Sequence, residues 1–126
     1  MLLGLTYLEG ESGNMRKAKA FLENSFSFLE NSFTKEILSR NSEINIVYTN
    51  KTTIITIIYD LCIDGKYHVE IIIERNGTRK NLLSFHELFG IMKLQKLKSQ
   101  LSETGAYEQI ILYSNFIENN VSNLQF

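Results

Sequence analysis

The chain has 126 residues, 44% of them hydrophobic and 21% charged, with a formal net charge of −1; this is the composition of a folded domain long enough for its own core, and it leaves no global field to draw in nucleic acid or an anionic membrane. The one cysteine, Cys62, excludes an internal disulfide and points to a reducing compartment, the cytoplasm. No apolar run approaches the roughly 20 residues of a membrane helix, and the N-terminus lacks the basic segment and small-residue cleavage site of a secretory signal.

Residues 1 to 14 read differently from the rest, because Gly4, Gly10 and Gly13 interrupt any regular element. Two readings stand side by side: an ordinary N-terminal strand or tail, or an extension preceding a native start at Met15. The second rests on Glu9-Gly10-Glu11, whose codons can contain a bacterial ribosome-binding sequence. N-terminal mass determination of protein made from its own promoter separates them; a mass that includes Met1 or Leu2 ends the second.

From Met15 to Arg40 the spacing predicts helix. Ala18, Leu22, Phe26, Leu29, Phe33 and Ile37 recur at steps of three or four, which places them on one face. The segment repeats itself, Phe21-Leu-Glu-Asn-Ser-Phe-Ser27 and then Phe28-Leu-Glu-Asn-Ser-Phe-Thr34. A break near Asn31 is expected, with Thr34 capping a second short helix. Ser39 to Glu43 reads as a polar loop, Ile44 to Thr49 as a strand, and Asn50-Lys51 as a turn.

The β-branched runs Thr53–Cys62 and Tyr67–Arg75 around Asp64-Gly65 predict a hairpin. Side chains alternate along a strand, so Ile55, Ile57, Tyr59, Leu61, Val69, Ile71 and Ile73 form a core face. Asp60, Cys62, His68, Glu70 and Glu74 then face outward. An odd-length loop, Asp64 to Lys66, keeps the two apolar faces on one side, with Gly65 or Lys66 in an unusual backbone conformation. It pairs Tyr59 with Ile71, Ile57 with Ile73, Asp60 with Glu70, and Cys62 with His68. Asn76-Gly77 signals another turn, followed by a short strand from Thr78 to Leu82.

Ser84-Phe-His-Glu87 has the form of a capping box. It opens a helix whose stripe is Phe85, Leu88, Phe89 and Met92, continued by Leu97 and Leu101, with Lys93, Lys96 and Lys98 off the stripe. Gly90 in that stripe suggests close packing. Ser102 to Gly105 is a break, and a last helix from Ala106 to Asn119 carries Tyr107, Ile110, Ile111, Ser114 and Ile117 on one face. The sum is a single α+β domain spanning 1 to 126: an N-terminal helix, a three- to four-stranded antiparallel meander, and two C-terminal helices packed mainly on one face.

Catalytic signatures are missing. There is no phosphate-binding glycine loop, no Gly-x-Ser-x-Gly elbow and no His-Glu-x-x-His, so neither an enzyme nor a cofactor is expected. The expected register gathers Asp60, Cys62, His68 and Glu70, which are ligand types for zinc; a solvated sheet face with an incidental cysteine is the commoner arrangement. Asp60 and Glu70 also resemble the acid, acid-x-lysine pattern of restriction-like nucleases, but Ile72 stands where lysine is required. Arg79, Lys80 and the lysine helix offer phosphate contacts, although such rows are more often solvated helix faces.

Tyr48-Thr-Asn50, Ile55-Thr-Ile57 and Tyr59-Asp60, followed by Leu82-Leu-Ser-Phe-His-Glu-Leu88, complete an order of parts. A leading helix, a Tyr-x-Asn … Ile-x-Ile-x-Tyr-Asp meander, a Ser-Phe-x-Glu-Leu helix start and a closing helix resemble the small cytoplasmic immunity proteins that accompany bacterial polymorphic and contact-dependent toxins. The resemblance covers residues 15 to 120. It implies a non-enzymatic protein that binds and neutralises one cognate toxin domain, and it transfers no individual functional residue. From the residues themselves, the outward acids Asp60, Asp64, Glu70 and Glu74 are the expected partner-binding set, because an acidic patch suits a basic toxin. No nucleic-acid or membrane partner is expected. The alternative is a homo-oligomeric structural or adaptor module, a homodimer using the surplus apolar surface of the last helix; a small metal-dependent enzyme built on Asp60 and Glu70 is the third.

Overall fold

The computed structural model describes residues 13 to 124. Helix α1 (Gly13–Ser25) leads through a 3-10 turn (Ser27–Asn31) into five strands: β1 (Thr34–Arg40), β2 (Glu43–Thr49), β3 (Thr53–Leu61), β4 (Tyr67–Arg75) and β5 (Thr78–Asn81). A 3-10 turn at Leu82–Ser84 precedes α2 (His86–Phe89), α3 (Ile91–Leu101) and α4 (Ala106–Asn120), and a last 3-10 turn covers Val121–Leu124. The strands form one antiparallel sheet in the order β1-β2-β3-β4-β5. The class is the expected α+β. The sheet has five strands rather than three or four; of the distinct N-terminal segment expected over residues 1 to 14, residues 1 to 12 lie outside the described residues and Gly13 and Asn14 open α1.

The extra strand is β1, where a second helix capped by Thr34 is expected. Every residue from Thr34 to Arg40 instead pairs with β2, from Thr34 opposite Thr49 to Arg40 opposite Glu43, and Asn41-Ser42 is the turn. Ladder hydrogen bonds and side-chain anchoring outweigh the weak local helical pattern. The anchor is Lys35, whose Nζ lies 3.1 Å from Glu23 Oε1 and 3.0 Å from Glu30 Oε2, tying β1 to α1 and its 3-10 turn. The two copies of the repeat therefore adopt different structures. Leu22 and Phe26 of the first copy and Leu29 and Phe33 of the second are all buried nonetheless.

In the central hairpin the expected faces hold and the register moves by two. Tyr59 pairs with Val69, Ile57 with Ile71, Ile55 with Ile73 and Asp60 with His68. Cys62 N–H donates to Lys66 O at 2.9 Å and Gly65 N–H to Cys62 O at 2.9 Å, which closes a three-residue loop of Ile63, Asp64 and Gly65. Gly65 has φ +80°. Three-residue hairpin loops place a left-handed residue last, so glycine belongs at the final loop position and not in the middle. A shift of two preserves parity, so the side chains keep their expected sides, but Leu61, expected in the core face, sits at the end of β3 and is exposed.

One side of the sheet is the core. Ile44, Ile46 and Tyr48 on β2, Ile55, Ile57 and Tyr59 on β3, and Val69, Ile71 and Ile73 on β4 join Ala18 and Leu22 of α1, Phe26 just after it, and Ile110, Tyr113 and Ile117 of α4 in a single buried cluster. Gln109 pins α4 to the sheet: its Oε1 accepts from Val69 N–H at 2.9 Å and its Nε2 donates to Thr104 O at 3.2 Å. That anchor sets the rotation of the helix. Tyr113 and Asn120 turn inward, while Tyr107 and Ile111, expected on the buried face, are exposed. Tyr107 stacks on Phe21 with centroids 4.9 Å apart.

The expected helix from Phe85 to Leu101 is two helices. Gly90 has φ +83° and a Cβ there would meet nothing within 4 Å, so it is the break and not a close-packing point. The break rotates the stripe: Phe85, Phe89, Leu94 and Leu97 are buried, and Met92 is 79% exposed. The Ser84–Glu87 capping box does not form. Asn81 Oδ1 instead accepts from Leu83 N–H at 2.8 Å, and Glu87 is held by Lys80 at 2.9 Å.

Candidate protein-docking face

Every described helix contributes its buried residues to the cluster on one side of the sheet, so the opposite side has no described helix over it. The registers define that outer face row by row. Leu38, Asn45, Ile58 and Glu70 form one row; Glu36, Val47, Thr56, Ile72 and Asn81 the next; Thr34, Thr49, Ile54, Glu74 and Arg79 a third. At the end nearest the β3–β4 loop lies Arg40, Glu43, Asp60 and His68. Directly opposite residues have Cβ atoms about 4.5–5.5 Å apart, so each row is continuous.

The centre of this face is apolar. Val47, Ile54, Ile58 and Ile72 are half-buried by their neighbours yet lie outside the core cluster, and Leu38 is 52% exposed. Around them stand Glu36, Glu43, Asp60, Glu70 and Glu74, against Arg40 and Arg79. Glu43 and Asp60 face each other directly, a like-charge pairing that opposes folding. A chain of net charge −1 thus concentrates acid on one surface.

Of the four residues expected to bind a partner, Asp60, Glu70 and Glu74 lie on this face and Asp64 lies at its end, in the β3–β4 loop. Glu70 Oε2 accepts from Asn81 Nδ2 at 3.0 Å, and Glu74 lies 3.9 Å from Arg79. Asp64 turns inward on its own loop, accepting from Lys66 N–H at 2.9 Å and sitting 2.9 Å from His68 Nε2. The His68 contact, then the Lys66 N–H, hold its carboxyl below the usual range. Glu36 and Glu43 escaped the sequence reading. Glu36 lies in a segment whose spacing predicts helix, and Glu43 becomes part of the patch only through the β2–β3 register.

The grouping of Asp60, Cys62, His68 and Glu70 changes with the register. Asp60 is opposite His68, Glu70 is opposite Ile58, and Cys62 lies past the end of β3 with its Sγ 3.8 Å from Asp60 O. Among the described residues no three His, Cys, Asp or Glu side chains gather closely enough to hold a metal. Local desolvation, and then the carboxylates of Asp60, Asp64 and Glu70, push the Cys62 thiol up, the opposite of what a nucleophilic cysteine needs. The loop around it is apolar and open: Leu61 and Ile63 are exposed, Ile63 fully so. No described helix is long and apolar enough to cross a membrane. Comparison with protein-family models, with curated proteins and with solved structures finds no match to this chain.

Proposed function

We propose that this chain is a non-enzymatic inhibitor of the immunity type, which acts in the cytoplasm by binding a basic toxin domain through the outer face of its sheet. The observation that carries the reading is a five-stranded face with no described helix over it, an apolar centre and an excess of carboxylates around it. An apolar centre supplies the desolvated contact that dominates binding, and the charged rim steers a basic partner and rejects acidic ones. The exposed loop apex at Leu61 and Ile63 extends the same end of the sheet. An inhibitor needs such a pre-formed surface and no reacting groups. The resemblance to immunity proteins supports the same reading from the order of elements.

The test is co-expression with the product of the neighbouring gene. A stable complex and restored growth are expected, and the triple reversal Asp60→Lys, Glu70→Lys and Glu74→Lys should abolish both while leaving the protein folded. No complex and no rescue rejects the proposal. A second reading, self-association through α4, rests on the exposure of Tyr107 and Ile111 one turn apart. A sedimentation coefficient that rises with concentration, and falls back in Ile111→Lys, would favour it.

A further inference from the structure

On the helical side, α3 and α4 line an open groove of about 390 Å³, a volume within the roughly 300–1,000 Å³ of small-molecule sites. Its walls are the exposed Lys93, Lys96 and Gln100 from α3 and Asn115, Asn119 and the buried Asn120 from α4, and among the described residues no carboxylate lines it. Leu97, which is buried, and the half-buried Phe116 form an apolar floor. This is a different chemistry from the sheet face: cations and carboxamides over an apolar base.

Among the described residues no carboxylate pairs with Lys93 or Lys96. Lys93 Nζ donates at 3.0 Å to Asn120 Oδ1, and Asn120 is itself buried and fixed by its Nδ2 bond to Phe116 O at 2.8 Å. A neutral amide therefore positions Lys93 without cancelling its charge. Lys96 is one turn away on the same helix, and like charges three residues apart repel. An anion between them removes that repulsion and supplies acceptors for the ammonium groups and for the carboxamide N–H groups of Gln100, Asn115 and Asn119. A phosphate monoester has the charge and the oxygens for this, and the remaining volume over Leu97 and Phe116 accepts an apolar or aromatic moiety.

We propose that the α3–α4 cleft binds a phosphorylated small molecule, with the phosphate between Lys93 and Lys96 and the organic part on Leu97 and Phe116. The site is separate from the sheet face and stands whether or not that face binds a toxin. The probes are AMP, adenosine and inorganic phosphate, titrated into the full chain and followed by amide chemical shifts and calorimetry. AMP is expected to bind saturably with shifts at Lys93, Lys96, Asn115 and Asn119, with inorganic phosphate weaker and adenosine silent. Lys93→Met with Lys96→Met should lower AMP affinity by at least about tenfold. Lys98→Met, on the same helix but outside the cleft, should leave it unchanged. The proposal is overturned by non-saturating shifts, by Lys98→Met weakening binding as much as the cleft pair, or by inorganic phosphate binding as tightly as AMP.

Discussion

The two faces of the sheet are built from the same residue types and end up in opposite surroundings. Along β3, Ile55 and Ile57 are sealed beneath α1 and α4, while Ile54 and Ile58, their immediate neighbours, lie on the side with no described helix. On β4, Ile71 and Ile73 are buried and Ile72 is not. Hydrophobicity alone does not separate the two sets. What separates them is strand parity and which side the helices occupy, so isoleucine on the outer face is apolar surface that folding has not used.

Adjacent truncations give the largest contrast. Ile57→Ala should cost about 2–5 kcal/mol, because it opens a cavity in a sealed site. Ile58→Ala should cost about 1 kcal/mol or less. Urea unfolding of both variants measures this, and equal losses would mean that the outer face is covered too. Next comes the turn that sorts β2 and β3 onto their faces. Asn50 Oδ1 accepts from the N–H groups of Thr52 at 2.9 Å and Thr53 at 2.8 Å, and Asn50 Nδ2 donates to Leu124 O at 3.3 Å. Asn50→Ala should cost about 1–3 kcal/mol in the same assay, since Thr53 is buried and its N–H loses its acceptor.

A smaller effect probes how dry the inner face is. The Tyr48 hydroxyl is buried with no hydrogen-bond partner among the described residues, and burial pushes its pKa from 10.0 to about 12. The unfolded chain loses this proton first, so the contribution is whole below pH 10 and is lost as pH rises through about 12. Tyr59 and Tyr113, also raised to about 12 by burial, act in the same direction. Tyr48→Phe should stabilise by roughly 1 kcal/mol at neutral pH and reduce the alkaline loss; thermal melts between neutral pH and pH 11 check it. The outer end of the sheet should respond least. Asp64 titrates below its usual 3.8 because of His68. Its contribution is present above that value and disappears as pH falls through the lowered one, with little effect on stability because the pair is exposed. Carboxyl NMR titration should find the Asp64 midpoint lowered, and His68→Ala should return it towards the ordinary value.

The parity of β2, β3 and β4 was legible in the sequence, because alternation of Ile, Val and Tyr with Thr, Asp and Glu is a direct image of a two-sided sheet. The register was legible in principle: a glycine required at the last position of a three-residue loop fixes it, and reading Gly65 as the middle residue moved it by two. β1 was hidden. Its sequence continues a helical spacing, and only the pairing with β2 and the Lys35 contacts to Glu23 and Glu30 reveal a strand. With β1 went Glu36, one of the five carboxylates of the candidate face. The position of α4 was hidden too, since it depends on Gln109, a polar residue that periodicity places with the solvent, accepting a hydrogen bond from β4.

Methyl NMR of isoleucine-labelled protein, free and mixed with the product of the neighbouring gene, tests the proposed docking face directly. Perturbations confined to Ile54, Ile58, Ile72 and the exposed Ile63, with Ile55, Ile57 and Ile71 unmoved, are the expected result. A footprint on Ile91 and Ile111 with the outer sheet methyls unchanged would contradict the assignment of that face.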